Sequence, residues 1–497
     1  MPVYGDYSAA INSVLTHPWI TTKVERVQRH RKPLYNLITR DAGKLGLDTK
    51  NLGRDVNGDY ARFKRYLTAE EYAISGRGEA EDVIHPGGST YAEAKVTPIQ
   101  IMGSTGWTTE MLENANGPDD FRNIIAEKWV GSDGDGGLVG ASERLRDTLY
   151  YGDATARLGR IASYNSTTRV LTFDNDLADY GWDGVDQLYN GLMVDILTVP
   201  DPYTTGTWAR PAVQVVVDQV NRAAKTCRIT ARTDNDGGAL PGTGIDPDGT
   251  GVPANSDNVF VAGMVKLTAA KVFVAWRAPL GIRAIVDDGA NAGYEFVESA
   301  NLYNKSWYGV TIQGLDRSAA ANSMYRAKVM RADAFSGGVA GTARTTDIND
   351  IETGLEWLFS ESEAPDPENV IGISNGATRR WLAALAKNEQ NGFQNIDDGR
   401  VVPGLVLNGF RSDSAGGKVI PMIPMRNLPD GEIYWLDTAK LGFWDIFPWG
   451  PWTRGGKTQF EAPGTRNLSF EQQLRYRGQL FFTRCDTMLR HEDISLT

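Results

Sequence analysis

The sequence is short of sulfur and of histidine. Two cysteines, Cys227 and Cys485, occur in 497 residues. They are far apart and too few for a disulfide framework, so both read as reduced thiols. The four histidines, His17, His30, His85 and His491, fall at no paired spacing, which leaves no histidine-based metal site. No apolar run approaches the roughly 20 residues that a membrane span needs. The start has no charged segment followed by an apolar one, so no secretory signal is expected, and the chain reads as a soluble protein made in a cytoplasm. Excess positive charge is also missing. A net charge of −11 excludes a chain-wide surface for phosphates.

What is present is enough apolar material for cores, at 41% hydrophobic residues, in a chain long enough for two or three domains. The 54 glycines favour many turns and long loops. Residues 1–59 read as an extended arm with weak helical patches. Arg26, Arg29, Arg31, Lys32, Arg40 and Lys44 make part of it locally basic, as a solvated face, a contact to an acidic neighbouring chain or a contact to nucleic acid. Residues 60–105 hold two strand-like pieces around the polar, glycine-rich stretch Ser75–Ser89. They predict a long β-hairpin with little core of its own. Over 118–152 two apolar stripes, one on Phe121, Ile124, Ile125 and Trp129 and one on Leu138, Leu145 and Leu149, predict one interrupted helix or two.

Residues 154–265 change character. Strand candidates recur at Val170–Phe173, Leu192–Val199, Val213–Val220, Cys227–Ala231 and Val259–Val261, separated by turns, and they predict a small barrel or sandwich. Strands return over 266–300. The clearest element is Asp347–Asn388. Ile348, Ile351, Leu355 and Leu358 make one apolar helix face, with Asp347 as its cap. Val370-Ile371-Gly372-Ile373 reads as a strand covered on both sides, and Trp381, Leu382 and Leu385 mark a second helix. Later strands are expected at Leu405–Leu407 and Glu432–Leu436, and a closing strand or strand pair over Leu468–Leu489.

One motif suggests catalysis. Gly372-Ile373-Ser374-Asn375-Gly376 matches the G-x-S-x-G nucleophile turn between a strand and a helix. A hydrolase built on Ser374 needs a later histidine, and only His491 is available. Asp437 or Asp445 would supply the acid, and His85-Pro86-Gly87-Gly88 would have to supply the oxyanion loop. A histidine so near the terminus is expected to be mobile. The competing reading is an ordinary glycine turn. Gly456-Lys457-Thr458 lacks the earlier glycine of a phosphate loop. Asp234-Asn235-Asp236-Gly237 and Asp246-Pro247-Asp248-Gly249 lack the glutamate that closes a calcium loop and read as acidic turns. No catalytic, cofactor-binding or metal residues are therefore assigned. An arm and a hairpin bury little within one chain, and they make sense if they bury surface on neighbours.

In this order of segments the chain resembles the major capsid proteins of tailed bacteriophages with the Hong Kong 97-type fold. The stretch from Asp119-Asp120-Phe121-Arg122-Asn123 to Leu149-Tyr150-Tyr151-Gly152-Asp153 is similar to the family's spine helix and its exit. Asp347–Asn388 resembles the helix–strand–helix of its axial domain. The run from Met425 to Asp437 resembles the loop and strand that follow, and Gln472–Met488 the closing peripheral strand. The resemblance implies an α+β chain with an N-arm (1–59), an E-loop hairpin (60–105), a peripheral domain with the spine helix (106–153), an inserted β-barrel-like domain (154–265), peripheral strands (266–300), an axial α/β domain (301–467) and a closing peripheral strand (468–497). It implies no enzyme and no cofactor. It implies self-assembly into hexamers and pentamers of an icosahedral head around non-specifically held double-stranded DNA. Scaffolding, portal and decoration proteins are the further partners expected, with no membrane. The virion is the expected location, after assembly in the host bacterial cytoplasm. With the arm starting at Met1, scaffolding is expected as a separate protein. Some relatives crosslink a lysine to an asparagine; Lys64 and Lys95 lie in the hairpin region, and nothing marks either as reactive. The shell of an encapsulin-type nanocompartment shares the fold and is the other assembly reading.

Overall fold

The computed structural model describes residues 42–68, 90–108, 145–173, 184–231, 253–287, 311–331, 344–401 and 409–496, with short gaps inside these ranges, together with Ile38. Strands β1 (Asp48–Asp55), β2 (Gly58–Thr68) and β3 (Thr90–Val96) form an antiparallel sheet in that order. Alternation sets its faces. Ala61, Phe63, Ala94 and Val96 are buried, whereas Arg62 and Glu93 stay in solvent and pair at 3.7 Å. Phe63 packs against Phe481 with ring centroids 6.4 Å apart. The sequence-based expectation thus needs two corrections here. Residues Asp48–Asp55 are a third strand and not part of an arm, and the base of the hairpin is rooted in the chain's own core. Strand β1 follows β2 no further than Arg62, so beyond that point the ladder has two strands and runs out to Thr68 opposite Thr90. The arm up to residue 37 and the Ser75–Ser89 tip lie outside the described residues.

Pro98 has no N–H to give a ladder, and the chain breaks there before β4 (Ile99–Thr108). Of the expected helix over 118–152, Leu145 and residues 148–151 are described, and they are helical. The Tyr150 hydroxyl donates to the Tyr476 oxygen at 2.7 Å, and the Tyr476 hydroxyl donates to Asp445 at 2.7 Å. The Tyr150 ring meets Phe443 edge-on at 5.0 Å. The chain then leaves through Gly152, against which Gly281 lies so closely that a Cβ on Gly281 would collide with the Gly152 carbonyl oxygen.

Between those two glycines lies a closed six-stranded barrel. Its strands are β5 (Arg157–Asn165), β6 (Val170–Phe173), β7 (Met193–Thr198), β8 (Ala209–Asn221), β9 (Thr226–Thr230) and β10 (Asn258–Val261), hydrogen-bonded around in the order β10-β5-β6-β9-β8-β7. Period-2 alternation fills it: Leu171, Phe173, Val194, Ile196, Val215, Val217, Cys227 and Ile229 are buried. Burial pushes the Cys227 thiol up to about 12, so it serves as a small apolar residue. Gln214 takes a positive φ of 53° at a bulge, and Asp195 secures it by accepting from the Gln214 and Gly263 N–H groups at 2.7 and 2.8 Å. Strands β11 (Val265–Leu267) and β12 (Phe273–Trp276) pair with each other. They cover Trp208, which stacks on Phe273 at 5.9 Å and meets Phe260 at 6.1 Å. This hairpin therefore packs on the barrel, beyond the expected boundary at 265.

Helix α1 (Ile282–Ile285) and the short strands β13 (Thr311–Ile312) and β14 (Leu315–Asp316) lead to β15 (Lys328–Met330). Then come helix α2 (Ile348–Phe359), β16 (Val370–Ser374), helix α3 (Gly376–Glu389) and the small pair β17 (Ile396–Asp397) and β18 (Arg400–Val401). They are followed by β19 (Gly409–Arg411), β20 (Val419–Pro424), β21 (Ile433–Asp437), β22 (Leu441–Pro451), β23 (Gln459–Glu461), β24 (Ser469–Phe482) and β25 (Leu489–His491). The expected strand at Leu405–Leu407 lies outside the described residues. Six strands form a mixed sheet in the order β15-β25-β21-β16-β20-β19. On one face Val370, Ile433, Trp435 and Leu489 meet Ile351, Leu355 and Leu358 of α2 and Leu382 of α3. On the other, Ile371, Ile373, Tyr434 and Leu436 join the main core. The helix–strand–helix expectation holds, with β16 buried at all five positions.

A second sheet is built on β24. Strand β4 pairs along it for ten positions, from Ser469 opposite Thr108 to Gly478 opposite Ile99, and β22 and β23 take the other side. The expected boundary at 467 therefore shifts at both ends. Strand β22 belongs with β24 in this sheet, and β25 returns to the mixed sheet.

Helix α2 starts with a reciprocal cap. Asp347 accepts from the Asp350 N–H at 2.8 Å, and the Asp347 N–H donates to the Asp350 carboxylate at 3.2 Å. Asp347→Ala should lower unfolding free energy by about 1 kcal/mol in urea titration; an unchanged midpoint would show that the cap contributes nothing.

Candidate functional site

The nucleophile turn is the first place to test. Ser374 is fully buried at the end of β16, opposite Ile433 of β21, and His491 of β25 pairs with Ile433 from the other side. One strand thus separates Ser374 from His491. At about 4.8 Å per strand they stand roughly 10 Å apart, far beyond hydrogen-bond reach. His491 is fixed and not mobile, a correction to the sequence-based expectation. It is 2% exposed, and its Nδ1 accepts from the Trp435 indole N–H at 3.0 Å. Its Nε2 therefore carries the proton. That nitrogen faces α2 at Gly354, where any Cβ would strike the ring. Asp437 accepts from the Ala439 N–H at 3.0 Å and Asp445 from Tyr476, so neither acid orients the histidine. His85–Gly88 lies outside the described residues.

What the turn does is structural. The Asn375 side-chain oxygen Oδ1 accepts from the Thr378 N–H at 2.8 Å and caps α3. Its amide donates to the Leu428 carbonyl at 3.3 Å and to Asp430. The Thr378 hydroxyl accepts from the Gly431 N–H at 3.0 Å. Together these tie the Leu428–Gly431 loop to the turn. The Ser374 hydroxyl finds no hydrogen-bond partner. Ser374→Ala removes a buried unsatisfied group and should change stability by less than about 1 kcal/mol, and a fluorophosphonate probe should leave the wild type unlabelled. Labelling at Ser374 would restore the nucleophile.

A buried ionic cluster lies on the opposite face of the mixed sheet, and sequence reasoning missed it. Arg490 is 1% exposed, donates to the Val286 carbonyl at 3.1 Å and forms ion pairs with Glu492 at 2.7 Å and with Asp287 at 3.8 Å. Arg283 of α1 pairs with Glu432 at 2.9 Å, and Arg331 with Glu492 at 2.8 Å. Tyr434 donates to Glu432. Arg317 donates to the Ala284 carbonyl at 2.6 Å and closes on Asp287 at 4.0 Å. Burial works against charge on Arg490, but Glu492 and Asp287 outweigh it and hold the guanidinium well above its ordinary value. Burial pushes Glu432 up, against the pull of Arg283 and Arg490. The arrangement fastens α1 and the segment after it to β21 and β25. Removing any one charge strands its partner, at a cost of about 3–5 kcal/mol.

Lys95 lies 4.8 Å over the Tyr60 ring, and the Lys64 side chain lies outside the described residues. So do His17, His30, Asp234–Gly237, Asp246–Gly249 and Gly456–Thr458. Among the described residues no group of three or more His, Cys, Asp or Glu is placed to hold a metal, and no helix is long and apolar enough to cross a membrane.

No family profile matches the chain, and no curated protein does. Solved structures do. The capsid asymmetric unit of cyanophage A-1(L) is similar with a TM-score of 0.43 and 10% identity, over 96% of this chain and 98% of that one. The capsid of the native GTA particle gives 0.42 and 8%, over 99% and 100%. Gordonia phage Cozz gives 0.37 and 11%, over 99% and 96%. These similarities extend over nearly the whole of this chain.

His491 gives the site a pH signature. Burial holds its pKa down at about 4, against 6.5 for a free imidazole. A depressed pKa means stability that is present above the unfolded value and is lost as pH falls from about 6.5 to about 4. The shift is worth about 3 kcal/mol. The stability advantage of wild type over His491→Asn, from urea titrations, should shrink by that amount across this window; a constant difference would mean that His491 is not held neutral.

Proposed function

We propose that this chain is the major capsid protein of a tailed double-stranded DNA phage, assembling through hexamers and pentamers into an icosahedral head. The observation that carries the reading is the two-stranded ladder beyond Arg62. It runs on to Thr68 and Thr90 with no third strand among the described residues. A two-stranded ribbon is marginal in water and gains stability by lying on another surface. Its base is rigid, since Phe63 sits on Phe481. A rooted base with a two-stranded extension suits a contact to the next copy, and repetition by symmetry turns such contacts into a shell.

The segment order supports the same reading. The barrel between Gly152 and Gly281 acts as an insertion after the spine helix. The mixed sheet with α2 and α3 acts as the axial domain, and the β4–β24–β22 sheet as the peripheral one. The net charge of −11 suits a container that must not clamp its DNA. The geometry at Ser374 gives no support to a hydrolase, and nothing among the described residues favours a cargo compartment.

Deleting Ser75–Ser89, outside the described residues, should leave a folded chain by circular dichroism and abolish or weaken particle formation by negative-stain microscopy. Particles formed as efficiently as by the wild type would remove the ribbon from the assembly mechanism.

A further inference from the structure

The β2–β3 ladder is held on both edges at one rung. On the β1 side the last paired position is Asp48, opposite Arg62, and Arg62 in turn faces Lys95 across the ladder. On the β3 side the Lys95 N–H donates to the Gln313 carbonyl at 2.7 Å. In an antiparallel pair the rungs alternate between inward and outward hydrogen bonds. The Lys95 N–H points outward, so this bond takes nothing from the ladder. Gln313 and Gly314 are the two central residues of the tight turn that joins β13 to β14, with Ile312 paired to Leu315. Both have positive φ, 50° and 78°, which a two-residue hairpin turn requires and which glycine adopts without strain. The turn is anchored from behind. Ile312 and Leu315 are buried in the main core. Arg317, just past β14, is 1% exposed and donates to the carbonyls of Ala284, Ile285 and Asp287 at 2.6, 3.3 and 3.2 Å. The Asn322 amide donates to the Asp316 carbonyl at 2.8 Å.

We propose that the Gln313–Gly314 turn is a brace that fixes the direction in which the ribbon leaves the subunit. A ladder of two strands has no third strand to set its twist. Here β1 holds one edge and the core-anchored turn holds the other. Phe63, one position further out, is seated on Phe481. The ribbon therefore starts from a frame fixed on two edges and one face. Arg317 also closes on Asp287 at 4.0 Å, and Asp287 is a partner of Arg490 at 3.8 Å. The brace thus stands on the same buried ionic cluster that fastens the mixed sheet, and that sheet and the ribbon are tied by one chain of buried contacts. The consequence for assembly rests on the shell reading. A contact to the next copy repeats with one geometry only if the ribbon leaves every copy at one angle.

Two variants of one residue separate the bond from the side chain. Lys95→Pro removes the N–H and leaves the ladder bonds in place, whereas Lys95→Ala keeps the N–H and removes the long side chain. The ribbon's direction is read in the full chain by double electron–electron resonance between spin labels on Thr90→Cys, at the outer end of the β2–β3 register, and Glu356→Cys, on the exposed side of α2. The native thiols Cys227 and Cys485 are buried. Excess unlabelled chain suppresses signals between copies. The parent should give one narrow distance. Lys95→Pro should broaden or shift it and lower the yield of regular particles in negative stain, and Lys95→Ala should do neither. If circular dichroism shows Lys95→Pro unfolded, Gly314→Val takes its place with the same expected result, because a branched side chain is strained at a φ of 78°. A distance unchanged on losing the bond, or one shifted equally by Lys95→Ala, would overturn the brace. So would a shifted distance with particles as regular and abundant as the wild type's. A wild type that forms no particles would sink the shell reading, and the label distances alone would then decide the brace.

Discussion

The ladder between β4 and β24 is the contact on which the architecture depends. It joins residues 99–108 to residues 469–478 over ten registered positions. The sequence separation is large, but the entropy of closing a loop grows only with the logarithm of its length, so one long ladder can hold such distant segments. Everything else takes its place from it. Strand β3 hands over to β4 at Pro98, so the ribbon is carried wherever β24 lies. Strand β22 occupies the other edge of β24, and Asp445 on β22 receives the Tyr476 hydroxyl that in turn holds Tyr150 at the helix end. The barrel then hangs from the next turn, at the Gly152–Gly281 contact.

Two kinds of burial fasten the mixed sheet into this frame. On the α2 and α3 face the contacts are apolar, with Trp435 and His491 locked together beneath Gly354. On the opposite face a polar cluster of Arg283, Arg490, Glu432 and Glu492 sits beside apolar Ile373 and Leu436. Apolar surface holds without preferring one register, whereas paired charges hold in one arrangement only.

How far the sequence could be read depended on whether the signal was local. The barrel strands at 170–173, 193–198 and 226–230 were legible because β-branched residues alternate there between turns. Strand β5 was not, because Arg157–Asn165 mixes glycine, arginine and serine. Strand β22 was hidden by Pro448 and Pro451, which an edge strand with bulges tolerates. Strand β20 was hidden by Pro421 and Pro424, and its parallel pairing with β16 leaves no short-range mark. Helices α2 and α3 were legible from an apolar stripe and a cap. The Ser374 motif was legible as a turn and misleading as chemistry, because whether a histidine comes within reach is decided by strand order. The ionic cluster had no legible signal, since its members are drawn from residues 283 to 492 with no spacing in common.

The central claim is that this chain completes its burial on copies of itself. Sedimentation velocity of the purified protein at micromolar concentration, with negative-stain images of the same sample, tests it most directly. The account predicts capsomers or closed shells, with little material at the mass of one chain. A single sharp boundary at about 54 kDa, unchanged as concentration rises, would contradict it.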